Sequence, residues 1–363
     1  MNINDKLPTD QPWAKPWPAE NLELVGRCPV CGETSRTLLH EDLVDKVFYI
    51  APGKWRLWAC TKCSSAYIDP RPSVDSIGQA YINYYTHQEA PEKTEYKSLS
   101  LFRRFRRRLV NGYTNWRYGT CAVPSSALGV LALLAMPNVR QSIDREYRHL
   151  PRKHGRDSTL LDLGFGDGSF LRLARSCGWD VVGLDMDAVA VKNAETSGLN
   201  VHQGGVEYFD GKANLFDVIT LSHVIEHVFN PTEVLKACNR LLKPNGQIWV
   251  ETPNIESLGY KFFKRNWISL DSPRHLVLFN RKSLSLIFLN AGFPSPYDQA
   301  RKSACSEIYG CSYAIQNGIP PFSSSKSPFS IKCYAKFATL VETFFPARRE
   351  MLSVSAKKYK DDR

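Results

Sequence analysis

TLLDLGFGDGSFLRLARSCGWDVVGLD, residues 159–185, decides the fold. A short apolar run carries Asp162, glycines follow at alternate positions (Gly164, Gly166, Gly168), a helical stretch comes next, and a second apolar run closes on Asp185. Glycines in that rhythm open backbone torsions that other residues avoid and let a ligand lie against the main chain. Asp185 stands 23 residues past Asp162, near the spacing of about 20 at which an acid binds a ribose diol in nucleotide-binding βαβ units. A carboxylate at that point prefers two hydroxyls to a phosphate. NAD would fit the same frame, but its fingerprint spaces the glycines G-x-G-x-x-G, a different rhythm.

Outward from this stretch, apolar strands and helical segments keep alternating. AVAVKNAETSG, LNVHQGG and LFDVITLS lead to a helix opened by Pro231 (PTEVLKACNRLLK) and the strand QIWVETP. Continuously apolar strands between helices are the signature of a parallel, doubly wound α/β sheet buried on both faces. RKSLSLIFLNAGF, the helix SIKCYAKFATLVETFF and the strand MLSVSAKK can close it, giving a Rossmann-like domain over 151–363. Before it, the pattern divides into a polar leader (1–22), a short Cys-punctuated β-like module (23–75) in which VFYIAP and KWRLWACTKC read as strands, and a basic helical segment (76–150).

At these residues the sequence resembles the class I S-adenosylmethionine-dependent methyltransferases, closely over about 155–295. LDLGFGDG matches their first motif, Asp185 in VVGLDMD their second, DVITLSHVIEHV their fourth, and LKPNGQIWVETPN their run into the fifth strand. The resemblance implies a seven-stranded sheet whose last strand is antiparallel. It also implies that Gly164, Phe165, Gly166 and Gly168 line the methionine part of the cofactor, that Asp162 sits beside its amino group, that Asp185 binds the ribose and that Met186 packs on adenine. Where the family carries an acid to meet the adenine amino group, this chain reads QGGVEYF, which puts Gly205 and Glu207 near that place.

Ten cysteines are too few, in 363 residues without an export signal, for a disulfide scaffold. Four of them stand in two pairs, Cys28-x2-Cys31 and Cys60-x2-Cys63, 28 residues apart. Four thiolates at this spacing fit a tetrahedral Zn²⁺ with Zn–S near 2.3 Å, closing a ribbon with little core of its own. A redox CxxC usually opens a helix in a thioredoxin-like unit, which two copies framing strands do not resemble. With every position taken by protein, such a zinc is structural.

Candidate chemistry sits beyond the fourth strand, where the chain reads Ser222-His223-Val224-Ile225-Glu226-His227. The H-x-x-E-H string of one metalloprotease class is matched, but a protease helix does not follow a strand beside a cofactor turn. In an open α/β sheet the carboxyl ends of the strands face the ligand, and methyl transfer needs an aligned nucleophile and, for a hydroxyl or acidic carbon, a proton acceptor. His223, Glu226 and His227 are therefore candidates. The Glu226-His227 segment also resembles ubiquinone-type O-methyltransferases, some of which use a divalent ion there. A second cluster, NWISLDSPRHLVLF, would cover the site and supplies His275, the foremost candidate for general base. This run is similar to PRHL-containing bacterial methyltransferases of cell-surface glycan biosynthesis that also carry an N-terminal CxxC ribbon.

Composition bounds the partners. With 43% apolar and 23% charged residues, the chain is neither disordered, collagenous nor a coiled coil. The net charge of +11 is concentrated: from Tyr96 to Ile143 there is no acid, against eight Lys and Arg. RRFRRR (103–108) with ALGVLALLAM (127–136) could meet an anionic lipid surface from the cytoplasmic side, although the apolar run is half of the roughly 20 residues needed to span. The first residues form neither a signal nor an anchor, which predicts a cytoplasmic protein. Three functions fit. The first is a methyltransferase of a small molecule or glycan, including a lipid-linked sugar. The second is an RNA methyltransferase gripping RNA through ribbon and basic segment, against which no NPPY-type base clamp is found. The third is a non-catalytic cofactor-binding scaffold. Oligomeric state is not legible.

Overall fold

The computed structural model describes residues 11–82, 100–153, 155, 157–323 and 327–359. Ribbon strands β1 (Arg36–Leu43), β2 (Trp55–Cys60) and β3 (Ala66–Ile68) precede helices α1 (Leu101–Tyr118), α2 (Leu128–Leu134) and α3 (Pro137–Glu146). The α/β unit begins with β4 (Thr159–Leu163), α4 (Ser169–Ser176), β5 (Asp180–Asp185), α5 (Ala188–Thr196) and β6 (Asn200–Gln203). It continues through β7 (Phe216–Ser222), α6 (Pro231–Leu241), β8 (Leu242–Pro253), α7 (Leu258–Phe263), β9 (Val277–Leu278) and α8 (Arg281–Asn290). The last elements are β10 (Tyr297–Asp298), α9 (Cys305–Gln316), α10 (Phe329–Phe344) and β11 (Met351–Lys357).

The main sheet has seven strands in the order β10-β11-β8-β7-β4-β5-β6. The pairs from β8 through β6 are parallel, and β11 runs antiparallel to both β8 and β10. This is the Rossmann-like sheet expected, with the antiparallel closing strand. Its central strands lie between helices and are buried along nearly their whole length, which is why they read as unbroken apolar runs. Pro231 occupies the first turn of α6, where its missing N–H costs nothing, and Asn280 with Ser283 forms a capping box that starts α8.

The segments drawn from pattern share cores in space. The ribbon sheet has four strands in the order β9-β3-β2-β1, and its outer strand comes from residues 277–278, paired with Tyr67 and Ala66. Cys28, Cys60 and Cys63 pack in one apolar core with Leu161, Ile219 and Leu221 of the main sheet. The basic helical segment likewise shares a core with the sheet, through Tyr113, Leu133, Ile143 and Leu150 against Leu160 and Phe170. Trp17, in the described part of the leader, is buried with its ring edge-on to Trp55 at 5.4 Å.

VFYIAP is not a strand. The Asp45 carboxylate accepts hydrogen bonds from the backbone N–H groups of Val47, Phe48, Ile50 and Ala51, which are thereby unavailable to a ladder. The strand of that region is Arg36–Leu43 instead. Residues 223–227 form turns rather than a helix, with His223 at φ 55°. Among the described residues, no helix is long and apolar enough to cross a membrane.

Candidate functional site

The glycine turn lies at the carboxyl end of β4. Gly164, Gly166 and Gly168 all have positive φ, and a Cβ on Gly164 would come within 2.5 Å of Val224 Cγ2, while one on Gly166 would meet nothing within 4 Å. The middle glycine thus borders open space, and the first touches the residue after His223. Both oxygens of Asp185 accept main-chain N–H groups, Oδ2 from Gly166 at 2.9 Å and Oδ1 from Asp187 at 3.0 Å, so the acid at the end of β5 also fixes the turn. Phe165 departs from the expectation: its ring is buried, and a Cβ on Gly183 would fall 2.7 Å from it, leaving only its main chain for a ligand. Met186 is exposed beside Gln203, whose amide donates to the Met186 carbonyl. Gly205 N–H donates to Glu207 Oε1 at 2.7 Å, so that carboxylate caps its own 3-10 turn.

Asp162 is fully buried. Oδ1 is engaged by Arg148 and by the Thr220 hydroxyl, while Oδ2 has no hydrogen-bond partner. Burial raises its carboxyl to about 6 in spite of Arg148. An unpartnered buried carboxylate oxygen beside an open glycine turn fits a cationic amino group, and the Asp185 carboxylate fits a diol. The residues present therefore suit S-adenosylmethionine.

The four candidate catalytic residues converge. His223 Nδ1 lies 3.3 Å from Glu226 Oε1 and its Nε2 lies 3.7 Å from Glu251 Oε1. Its burial opposes charge, but the two carboxylates beside it outweigh this and raise its pKa to about 9. His223 is consequently a cation near neutrality and not a ready base. Glu226, also fully buried, is lowered to about 2, since its histidine neighbours outweigh the cost of burial, and its Oε2 accepts from the Thr252 hydroxyl at 2.9 Å. His227 is driven down to about 4, first by burial and then by His275. Its Nδ1 lies 3.0 Å from both the Arg274 carbonyl and the Tyr81 hydroxyl.

The loop between α7 and β9 brings His275 to this group, with its ring centroid 4.7 Å from that of His227. His275 Nδ1 donates to the Ser269 carbonyl at 2.7 Å, which leaves Nε2 to carry the lone pair of the neutral ring. Ligand atoms of Glu226, His227 and His275 lie within 4.8 Å of one another. Two imidazoles tied by backbone carbonyls and one carboxylate make a donor set that suits a divalent cation.

Sequence reasoning missed the ion pairs behind these groups. Glu251 on β8 is buried between Arg145 Nη2 at 2.7 Å and Arg301 Nη1 at 3.5 Å, and its carboxyl is held well below the usual range because these cations and His223 outweigh burial. Arg274 of the PRH triplet is fully buried between Asp45 and Asp271, each with an oxygen 2.6 Å from Nη2. No local spacing signals partners 229 residues apart.

The four ribbon cysteines also converge. Cys28 and Cys63 Sγ are 3.6 Å apart, Cys31 and Cys60 Sγ 3.5 Å, and all four lie within 4.8 Å of one another as free thiols. A tetrahedron with Zn–S near 2.3 Å has edges of roughly 3.8 Å, so the thiols fit that ion.

Residues 137–294 match the family model described as a methyltransferase domain. A ubiquinone biosynthesis O-methyltransferase of Pectobacterium atrosepticum is 39% identical over 102 residues, which are 26% of this chain and 42% of that protein. One from Pseudomonas paraeruginosa is 34% identical over 111 residues, 29% and 48% of the respective lengths. The chain thus spans less than half the length of these curated relatives. Among solved structures, a SAM dependent methyltransferase from Archaeoglobus fulgidus is similar at 20% identity and a TM-score of 0.40, with 62% of this chain and 93% of that chain covered.

Proposed function

We propose, from the methyltransferase domain at residues 137–294, that the chain transfers a methyl group from S-adenosylmethionine to a small-molecule acceptor, the finer reading being a glycan or lipid-linked sugar. The observation that carries this is the open turn at Gly166 gripped by Asp185, with Asp162 Oδ2 left unpartnered beside it. When bound, the cofactor supplies an electrophilic methyl group. The chain's own residues do the rest. Main chain at Gly164, Phe165, Gly166 and Gly168 cradles the amino-acid tail, Asp162 meets its amino group, Asp185 takes the ribose hydroxyls, and Met186 and Gly205 to Glu207 flank the base. His223, cationic and partly exposed, orients the acceptor. His275 Nε2 is the candidate base, steadied by His227. The relatives named for ubiquinone biosynthesis support a small acceptor over RNA.

Cys28, Cys31, Cys60 and Cys63 would hold a structural Zn²⁺, with no position left for water. A second reading, metal-assisted transfer, rests on the convergence of Glu226, His227 and His275. It requires activity to fall on chelation while the ribbon keeps its metal. The primary test is calorimetry of the zinc-loaded chain with S-adenosylhomocysteine, followed by mass spectrometry of glycans and lipids from cells with and without the gene. A one-methylene mass difference supports the acceptor class; absence of any cofactor binding overturns the assignment.

A further inference from the structure

Helix α10 is apolar on two opposite sides. Ile331, Ala335, Ala338 and Glu342 face inward, and the first three share a core with Cys305 and Tyr309 of α9 and Met351 of β11. Phe329, Cys333, Phe337, Leu340 and Phe344 follow one another at spacings of four, four, three and four residues, which keeps them in one stripe on the outward side. Cys333 is exposed, and the other four are 57% to 80% exposed. Tyr334 widens the stripe along one flank, its ring 4.9 Å from that of Phe262 on α7, and both rings are about half exposed. One apolar face is all that α10 needs to pack on its own fold. The second holds aromatic rings in water in a contiguous patch, which marks an interaction surface.

The other flank of the stripe is cationic. Lys332, Lys336 and Thr339 succeed one another at i, i+4 and i+7; both lysines are exposed, and the Thr339 hydroxyl lies 3.1 Å from that of Ser303, the neighbour of the exposed Lys302. The acids of the two packed helices are placed elsewhere. Glu342 is buried, with an oxygen accepting the Glu350 N–H, and Glu307 of α9 lies near Arg145. A second copy docked on the stripe would bring further lysines to this edge and no carboxylate of α10 to pair with them. The stripe is also small for that use, since its exposed side chains offer roughly 500 Å² against about 800 Å² from each partner in a standard interface. A lipid surface asks for neither the area nor a matching shape. Phe and Leu side chains enter the acyl boundary, while lysines at the edge reach anionic headgroups and keep their water.

We propose that α10 is an interfacial helix on which the chain rests against an anionic lipid surface, its Phe329 to Phe344 stripe in the boundary and Lys332, Lys336 and Lys302 toward the headgroups. The contact belongs to α10 and not to the basic helix α1.

The test is flotation of the full zinc-loaded chain with phosphatidylcholine vesicles that contain or lack phosphatidylglycerol, at fixed salt. Binding to the anionic vesicles is expected, weakened at least about tenfold in F337S/F344S because two rings leave the boundary, and weakened also in K332E/K336E. R103E/R106E should bind as the parent does. All the substituted positions are exposed, so each variant should keep the parental melting temperature. A second measurement needs no variant: maleimide labelling of the parent, read by peptide mass spectrometry, should modify Cys333 readily without lipid and slowly with anionic vesicles. Binding that is absent, equal in F337S/F344S, equal in K332E/K336E, or lost only in R103E/R106E overturns the proposal. So does a Cys333 already protected in the lipid-free monomer, which would mean that the chain covers the stripe itself. A lipid-free dimer that F337S/F344S converts to monomer overturns it in favour of a second copy.

Discussion

Asp162 has Arg148 and Thr220 on one oxygen and nothing on the other, and burial raises its carboxyl to about 6. A raised carboxyl titrates toward neutrality, so its proton is bound more tightly when folded than when unfolded. The group's contribution to stability therefore declines as pH rises from about 4 to about 6 and is flat above. An ammonium beside it favours the ionised form and reverses that preference. S-adenosylhomocysteine should accordingly bind with full affinity above pH 6 and progressively less tightly below it; calorimetry between pH 5.5 and 7.5 checks this, with Asp162→Asn expected to flatten the profile. Asp185→Ala removes the diol acceptor and leaves the Gly166 and Asp187 N–H groups without their carboxylate. A loss of about 1.5–3 kcal/mol in cofactor affinity is expected, and unchanged binding would contradict the assignment. At this scale the sequence exposed acids and glycines at local spacings. Arg145, Arg148, Glu251 and Arg301 escaped notice because their pairings are set by sheet register and by packing of α3, not by any short motif.

The loop from α7 to β9 shows what a motif can and cannot convey. PRH reads as chemistry, and His275 does reach Glu226 and His227, but the neighbouring Arg274 is a clamp. Its guanidinium joins Asp271 in its own loop to Asp45 in the ribbon, and it donates to the Ala80 carbonyl. The same Asp45 holds residues 47–51 out of strand geometry, which is why a β-rich composition there gave a loop. Removing one partner of a buried ion pair leaves uncompensated charge, worth about 3–5 kcal/mol. Arg274→Gln should lower the unfolding free energy, measured by denaturant titration, by an amount in that range. In the folded fraction it should also lower kcat with S-adenosylhomocysteine affinity retained, because the clamp steadies the His275 loop and not the glycine turn. A variant with parental stability would show that the two aspartates find other partners, and the clamp would then carry no weight.

For the whole molecule, the alternation of strand and helix was legible because buried parallel strands and amphipathic helices have different periods, and it yielded the doubly wound parallel sheet, while the count of seven strands and the antiparallel closing strand came only from the family resemblance. The joining of ribbon to sheet was not legible, since it runs through contacts between residues far apart in the chain, among them Val277 and Leu278, which pair with Tyr67 and Ala66. That joint has a thermodynamic consequence. Zinc held by four thiolates contributes about 10 kcal/mol or more to the structure that presents them, and Cys28, Cys60 and Cys63 lie in the same core as β4 and β7. A zinc ion held there would therefore share its free energy with the fold rather than confine it to a ribbon. Cys60→Ser, or a strong chelator in mild denaturant, should lower Tm in a single cooperative transition that also abolishes S-adenosylhomocysteine binding, because loss of β3 frees β9 and with it the loop docked on the Glu226 carbonyl through Leu276 and Val277 N–H. Calorimetric scans with metal analysis decide it. Two separated transitions, with cofactor binding intact after the first, would mean that the ribbon melts alone and that the shared core is too weak to couple them.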